Sequence, residues 1–223
     1  MWQSALVRFT DAAKVPVLAE LVATDHLMPE GILPGATVVV SYYLPFIEAV
    51  EKSNVPGCEA SPIWARAYCL TNEMGAELNK HLVHVVNGMG FRAAVPEGAG
   101  LFNRETLLSR WSQRHVAWLA GHGTFGINNM LISEAGCCGR YFSVVADLPA
   151  EPDAPVTEER CLYKARDACG LCARRCVAGA LRTDGIFDRH RCWAMCQENE
   201  AKYPKAHVCG KCDVGLPCSF RIP

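Results

Sequence analysis

The chain has 223 residues, half of them hydrophobic, with 22 basic and 23 acidic side chains. Its mean hydropathy is +0.07, and no apolar run approaches the roughly 18 residues of a membrane-spanning helix, so we expect no membrane insertion. The first eight residues contain no basic segment followed by an apolar one, so a signal peptide is not expected and a cytoplasmic location is predicted. A chain of this length can bury a full core as one domain with a small appendage.

The first half of the chain contains one clear strand signal and one clear helix signal. Residues 37–44 are a β-branched and aromatic run between Pro34-Gly35 and Pro45, which predicts a buried strand. Ser61 and Pro62 form an N-cap and a first-turn proline, which predicts a helix ending near Asn87-Gly88. Spacings of three and four residues place its apolar side at Ile63, Ala67, Leu70, Met74, Leu78 and Leu82.

Further predicted elements follow in chain order. They are a strand at 91–95, a helix from Asn103 to Gly121, strands at 130–133 and 140–146, and a proline-rich linker at 148–156. This alternation predicts an α+β fold, or a three-layer sheet with helices, for residues 1–150.

The cysteines divide the chain into two parts. Residues 1–160 hold four, Cys58, Cys69, Cys137 and Cys138, whereas the last 63 residues hold nine of the 13. The net charge changes at the same place, from −6 before residue 161 to +5 after it. We therefore predict a second, smaller domain at 151–223.

Three kinds of site compete for the tail cysteines. Disulfides are typical of short exported scaffolds, which this chain does not resemble. A zinc ribbon would use Cys169 with Cys172 and Cys209 with Cys212, and would leave five tail cysteines without a role. Bacterial-type ferredoxins use C-x2-C-x2-C-x3-C, and Cys169, Cys172 and Cys176 match its last three positions.

The count favours iron and sulfide. The tail cysteines are Cys161, Cys169, Cys172, Cys176, Cys192, Cys196, Cys209, Cys212 and Cys218. Two [4Fe–4S] clusters need about eight thiolates, so one of these nine is spare. We predict a ferredoxin-like domain with two such clusters. The excess of basic residues either balances the negative clusters or forms a solvated face for a partner, and the sequence leaves both open.

The other four cysteines carry no metal-ligand spacing. Cys58 lies in a predicted loop and Cys69 in the predicted helix, so both are interpreted as structural or incidental thiols. Cys137 and Cys138 are adjacent within a glycine-bounded turn, which favours a turn role, although a redox or substrate-facing role stays open.

A glycine-rich segment at 120–129 precedes that turn. Three glycines in six residues allow backbone amides to approach a ligand, but tight turns use the same composition, so both interpretations stay open. His115 and His122 lie near its start, where packing is the more ordinary role. The candidate cofactor-binding residues are Ser112, His115, Gly121, Gly123, Thr124, Phe125, Gly126, Asn128 and Asn129.

Residues 120–132, Ser143–Val145, Asp147–Pro149 and the cysteine-rich tail together resemble epoxyqueuosine reductases, and reductive dehalogenases share the same plan. The resemblance implies a nitroreductase- or cobalamin-reductase-like sheet domain that binds cobalamin beside two clusters. It further implies that Cys161, Cys169, Cys172 and Cys218 hold one cluster and that Cys176, Cys192, Cys209 and Cys212 hold the other. Electrons from a flavodoxin- or ferredoxin-type donor would then reach the corrinoid.

The sequence also departs from this family. Val177 replaces the proline that follows the fourth cysteine, and Arg166 replaces the first ligand of the ferredoxin run. No carboxylate occurs at 107–110, where the family carries its catalytic aspartate, so no catalytic residue is assigned. The helical repeats with which epoxyqueuosine reductases hold tRNA have no counterpart, so a small-molecule substrate is expected and tRNA is not.

The leading hypothesis is therefore a cobalamin-dependent iron–sulfur reductase. A ferredoxin-type electron carrier without chemistry of its own is the alternative, because a pure carrier would need only the tail. A zinc-stabilised binding module is the third possibility. The sequence alone does not establish that the chain is an enzyme.

Overall fold

The computed structural model describes residues 1–96 and 101–223. Within them eight strands are assigned: β1 Leu6–Asp11, β2 Val38–Pro45, β3 Ala93–Ala94, β4 Phe102–Asn103, β5 Leu108–Ser109, β6 Thr124–Phe125, β7 Leu131–Ile132 and β8 Gly139–Ala146. The same residues form eight helices: α1 Leu18–Leu21, α2 Pro29–Ile32, α3 Glu48–Ser53, α4 Pro62–Gly88, α5 Gln113–Leu119, α6 Leu162–Arg166, α7 Leu171–Arg175 and α8 Arg189–Lys202. A 3₁₀ segment, Ala12–Val17, joins β1 to α1.

The central sheet has the strand order β1-β2-β8-β3, and every pairing in it is antiparallel. β2 and β8 pair over their whole length, from Val38 opposite Ala146 to Pro45 opposite Gly139. All eight residues of β2 are buried, because both faces of the sheet are covered. The strand predicted at 37–44 is confirmed.

Helix α4 covers one face of the sheet. Ser61 caps it, since its side chain accepts a hydrogen bond from the amide of Trp64 at 3.1 Å. Midway along the helix, the hydroxyl of Tyr42 donates to the carbonyl of Gly75 at 3.0 Å, and the ring of Phe142 lies directly against Gly75. The absence of a side chain at Gly75 lets the helix approach the sheet closely.

The opposite face packs on α5 and the 3₁₀ segment. Val39 and Val145, which are neighbours across β2 and β8, belong to one core with Val15 and Val116. The indole of Trp111 belongs to the same core and donates to the hydroxyl of Ser143 at 2.9 Å. Helix, sheet and helix therefore form three layers, as expected of a mixed α and β domain.

Two helix predictions need correction. Residues 102–109 form a small hairpin, β4 with β5, so the helix expected from Asn103 starts only at Gln113. In α4 the apolar side was assigned about one residue out of phase, because Ile63 and Met74 are exposed. The buried residues are Trp64, Ala65, Ala67, Thr71, Gly75, Asn79 and Val86, so small and polar side chains form much of the contact with the sheet.

The tail packs directly on the first domain. No strand or helix is assigned in the described stretch between β8 and α6, in agreement with the linker predicted at 148–156. Val214 of the tail shares a core with Phe46 and Trp64. The boundary near residue 150 and the ferredoxin-like architecture of the tail stay predictions.

None of the described helices is long and apolar enough to cross a membrane.

Replacing Gly75 by alanine tests the packing of α4. The new Cβ would overlap the ring of Phe142, so we expect a loss of about 1–3 kcal/mol of unfolding free energy despite the better helix propensity of alanine. Urea unfolding measures it. Gly88 ends the same helix, and a Cβ added there would have no neighbour within 4 Å, so Gly88→Ala is the matched control and should not destabilise the protein. Equal effects would contradict this packing.

Candidate metal centres and the adjoining cavity

Four tail cysteines line a small pocket of about 20 Å³, here called site one. They are Cys161, Cys169, Cys172 and Cys218. Cys161 lies directly before α6, and Cys172 lies within α7. Between these helices Asp167, Cys169 and Gly170 all have positive φ, so the chain turns sharply and brings the two cysteine segments together.

Five other tail cysteines line a larger cavity of about 420 Å³, and we call their group site two. They are Cys176, Cys192, Cys196, Cys209 and Cys212. Cys176 directly follows α7, so one short helix supplies Cys172 to site one and Cys176 to site two. Cys212 and Cys218 divide between the sites in the same way.

Cys192 and Cys196 compete for one position at site two. They lie one turn apart on α8, and their side chains hydrogen-bond to each other. This contact and burial raise the pKa of Cys196, whereas the same contact lowers the pKa of Cys192. The sulfur that more readily loses its proton is therefore that of Cys192, which is the predicted ligand.

The thiols at both sites fit an iron–sulfur cluster. Burial raises the pKa of Cys172 to about 12 and that of Cys209 to about 11. The amides of Ala173 and Lys211 oppose this by hydrogen-bonding to those two sulfurs. Buried thiolates need a positive partner, which a metal supplies, and sulfur-only ligand sets suit soft metals such as those of clusters.

The ammonium of Lys211 is a further sign of a missing anion. Its residue is 1% exposed, and its hydrogen bonds go to the carbonyls of Asn54 at 2.8 Å and Pro56 at 2.7 Å. Within residues 1–96 and 101–223, no carboxylate forms an ion pair with it. A buried charge without a counterion is costly, and an anionic cluster beside Cys212 would balance it.

Among the described residues, no three His, Cys, Asp or Glu side chains converge closely enough to hold a single metal ion. Each cysteine group instead borders a pocket with room inside it. Cluster binding stays a prediction, and the residues present suit it.

The cavity beside site two has polar residues that the sequence did not reveal. The guanidinium of Arg140 lies 4.4 Å from the ring centre of Tyr68 and donates to Asn72. Arg114 donates to the carbonyl of Asn129 and to the sulfur of Met130. Burial raises the pKa of Asp213 to about 6. None of the three belongs to a motif; only their adjacency to predicted residues could have drawn attention to them.

The glycine-rich segment has a different role from the one predicted. A Cβ at Gly121 would overlap the carbonyl of Ala154 in the linker, and one at Gly123 would overlap the carbonyl of Ile132 in β7. The hydroxyl of Thr124 accepts from the amide of Arg160 at 2.9 Å. These three positions are needed because the chain packs against its own backbone, and none of them lines the described cavity.

The remaining candidates are spread over several places. Of the nine, only Ser112 lines the described cavity. His115 bonds to Ser112 at 2.7 Å and packs on the ring of Phe125, and burial lowers its pKa to about 4. Gly126 and Asn128 border site one, and Asn129 contacts Arg114. Asn128 also donates to the carbonyl of Cys212 at 2.9 Å, so the segment connects both cysteine sites to the sheet domain.

The cavity does not fit a whole corrinoid. Pockets for ordinary ligands measure about 300–1,000 Å³, and a corrinoid is far larger than such a ligand. The volume here is about 420 Å³, and a cluster at site two would occupy part of it. A corrinoid would have to extend well outside the described walls.

No protein-family model matches the sequence, and no curated protein matches it. Solved structures do match. One is an epoxyqueuosine reductase from Streptococcus thermophilus, with a TM-score of 0.59, 17% identity, and coverage of 96% of this chain and 62% of that one. Another is an epoxyqueuosine reductase with a tRNA-Tyr stem loop, with a TM-score of 0.58, 19% identity, and coverage of 96% and 61%.

A third is a reductive dehalogenase whose structure suggests a mechanism for B12-dependent dehalogenation, with a TM-score of 0.60, 16% identity, and coverage of 93% of this chain and 29% of that one. The fold is shared. The resemblance drawn from the motifs is thus confirmed in three dimensions. The chain spans about three fifths of the reductases' length and under a third of the dehalogenase's.

Replacing Gly123 by alanine tests whether the segment is structural. Because its Cβ would collide with backbone, we expect a loss of about 1–3 kcal/mol in unfolding free energy with no cofactor added. Thermal and urea unfolding measure it. Gly31 is exposed in α2 with nothing within 4 Å, so Gly31→Ala should be neutral. A Gly123→Ala protein of unchanged stability would restore the cofactor-cradle interpretation.

Proposed function

We propose that this chain is an iron–sulfur reductase. Two [4Fe–4S] clusters at sites one and two would pass single electrons to a small molecule in the adjoining cavity. The observation that carries the proposal is the separation of the tail cysteines into two pockets, each with the four thiols that one cluster needs.

The two sites suit different ends of an electron path. Cys169 of site one is exposed, so a cluster there could accept electrons from a flavodoxin- or ferredoxin-type donor. Site two opens into the cavity, so a cluster there would lie beside the acceptor. The cavity is also what favours a reductase over a simple electron carrier.

The cavity suggests how an acceptor would bind. Aromatic walls, among them Trp64 and Trp111, would hold an apolar or aromatic body. Arg114 and Arg140 form no ion pair within the described residues, so they could orient a polar group. The volume limits the acceptor to an ordinary small molecule.

A corrinoid-dependent reductase is the second candidate, favoured by the structural neighbour linked to B12-dependent dehalogenation. Because the described cavity is too small for a whole corrinoid, we derive no step through it. Adding cobalamin to the reconstituted protein without air tests this candidate. A change in the cobalamin spectrum with tight, stoichiometric binding would establish it and replace the small-cavity proposal.

The structural neighbour with a tRNA stem loop keeps tRNA in question. The prediction against tRNA rests on the net charge of −6 over residues 1–160. A gel-shift titration with a tRNA stem loop decides it.

The proposal is tested by analysing iron, acid-labile sulfide, zinc and cobalt in one preparation made without air. We expect about eight irons and eight sulfides per chain. A carrier and a reductase then differ in turnover, since only a reductase consumes a small acceptor with a chemical reductant. Zinc without sulfide would overturn the proposal.

Replacing one ligand at each site tests the cysteine assignment. Cys172→Ser should lose the site-one cluster and Cys212→Ser the site-two cluster, so that each variant keeps about half the iron. Iron analysis and EPR of the reduced proteins measure this. Cys58→Ser and Cys69→Ser are matched controls, because Cys58 is exposed in a loop and Cys69 lies in α4. Iron loss in either control would refute the assignment.

A further inference from the structure

Cys137 and Cys138 lie directly before β8 and belong to neither cysteine group. They are 3% and 0% exposed. Two adjacent buried thiols are unusual in a turn, where small or polar residues would serve, so their contacts need a physical explanation.

Cys137 contacts site one. Its amide donates to the carbonyl of Cys218 at 2.9 Å, and the two side chains hydrogen-bond to each other. It also packs in one apolar group with Ile132 and Cys161. A fifth thiol therefore touches a pocket that already has four.

The same pair faces site two. Cys137 lines the larger cavity, and the thiol of Cys138 donates to the carbonyl of Asp213 at 2.8 Å. Asp213 follows Cys212 in the chain. Cys137 and Cys138 thus occupy the wall that separates the two sites.

We propose that Cys137 is a positioning residue whose thiol donates a hydrogen bond to the sulfur of Cys218 when Cys218 ligates the site-one cluster, making that cluster easier to reduce. The inference rests on the proposed function. A ligating cysteine has lost its proton, so only Cys137 can be the donor in this pair. The hydrogen bond withdraws electron density from the ligand and stabilises the more negative, reduced cluster.

The contact is specific to one cluster. Cys137 bonds to Cys218 of site one, whereas its neighbour Cys138 bonds to a backbone carbonyl beside site two. Cys137 therefore sets the difference between the two reduction potentials, which decides how the electrons distribute between the clusters.

The test is an EPR-monitored redox titration of the full chain, reconstituted without air. Cys137→Ala should lower the potential of the site-one cluster, with up to about a tenfold change in its reduced-to-oxidised ratio, equivalent to about 59 mV for one electron. Cys137→Ser keeps an O–H donor and should restore most of the shift. The site-two potential should not move in either variant. Cys138→Ala is the matched control and should leave the site-one potential unchanged.

The outcomes separate the two proposals. Wild-type protein without clusters would refute the proposed function itself. Intact clusters with an unchanged site-one potential in Cys137→Ala would refute only the role of Cys137. Loss of half the iron in both Cys137 variants, with circular dichroism unchanged, would make Cys137 a ligand and refute the hydrogen bond.

Discussion

Thiol groups take the place of a hydrophobic core in the carboxyl-terminal third of this protein. The buried apolar residues there, apart from two cysteines, are Ala180, Leu181, Ala206 and Val214. Three short helices with so little apolar contact are not expected to be stable by themselves. Two pockets ringed by cysteines would supply the missing free energy through metal–sulfur bonds, because binding that forms only in the folded state stabilises that state.

The first domain complements this by providing a rigid wall. β2 and β8 are buried over most of their length between α4 and α5, so the start of β8 is held firmly. Cys137 and Cys138 at that point bond through their amides to the carbonyls of Cys218 and Ser219. Asn128 adds a contact to Cys212. The cysteine sites are therefore oriented by the sheet, and the cavity at site two is bounded by both parts of the chain.

This arrangement explains why a reductase is proposed and why its acceptor is expected to be small. Epoxyqueuosine reductase and a B12-linked dehalogenase share the fold, yet a fold hosts many reactions and the site decides among them. Here the site combines cysteine pockets with a buried ammonium and two guanidiniums that form no ion pair among the described residues. Its volume is that of an ordinary ligand pocket.

Local signals in the sequence determined a good part of the structure. The run at 37–44 became β2, and Ser61 with Pro62 marked the start of α4, because strand burial and helix capping depend on neighbouring residues. The spacing of Cys169, Cys172 and Cys176 indicated clusters for a similar reason, since a short turn can present thiols to one metal centre. The order of motifs also indicated the fold shared with the reductases.

Tertiary contacts decided the rest. Gly121 and Gly123 looked like a cofactor loop, but their neighbours are the linker and β7, which lie outside the segment itself. The buried side of α4 follows Gly75 and Phe142, a contact that helical periodicity cannot show. β1 and the hairpin at 102–109 were missed, since short edge strands have little pattern of their own. The position of Cys137 beside Cys218 likewise depends on two segments 81 residues apart meeting in space, and only the folded chain brings them together.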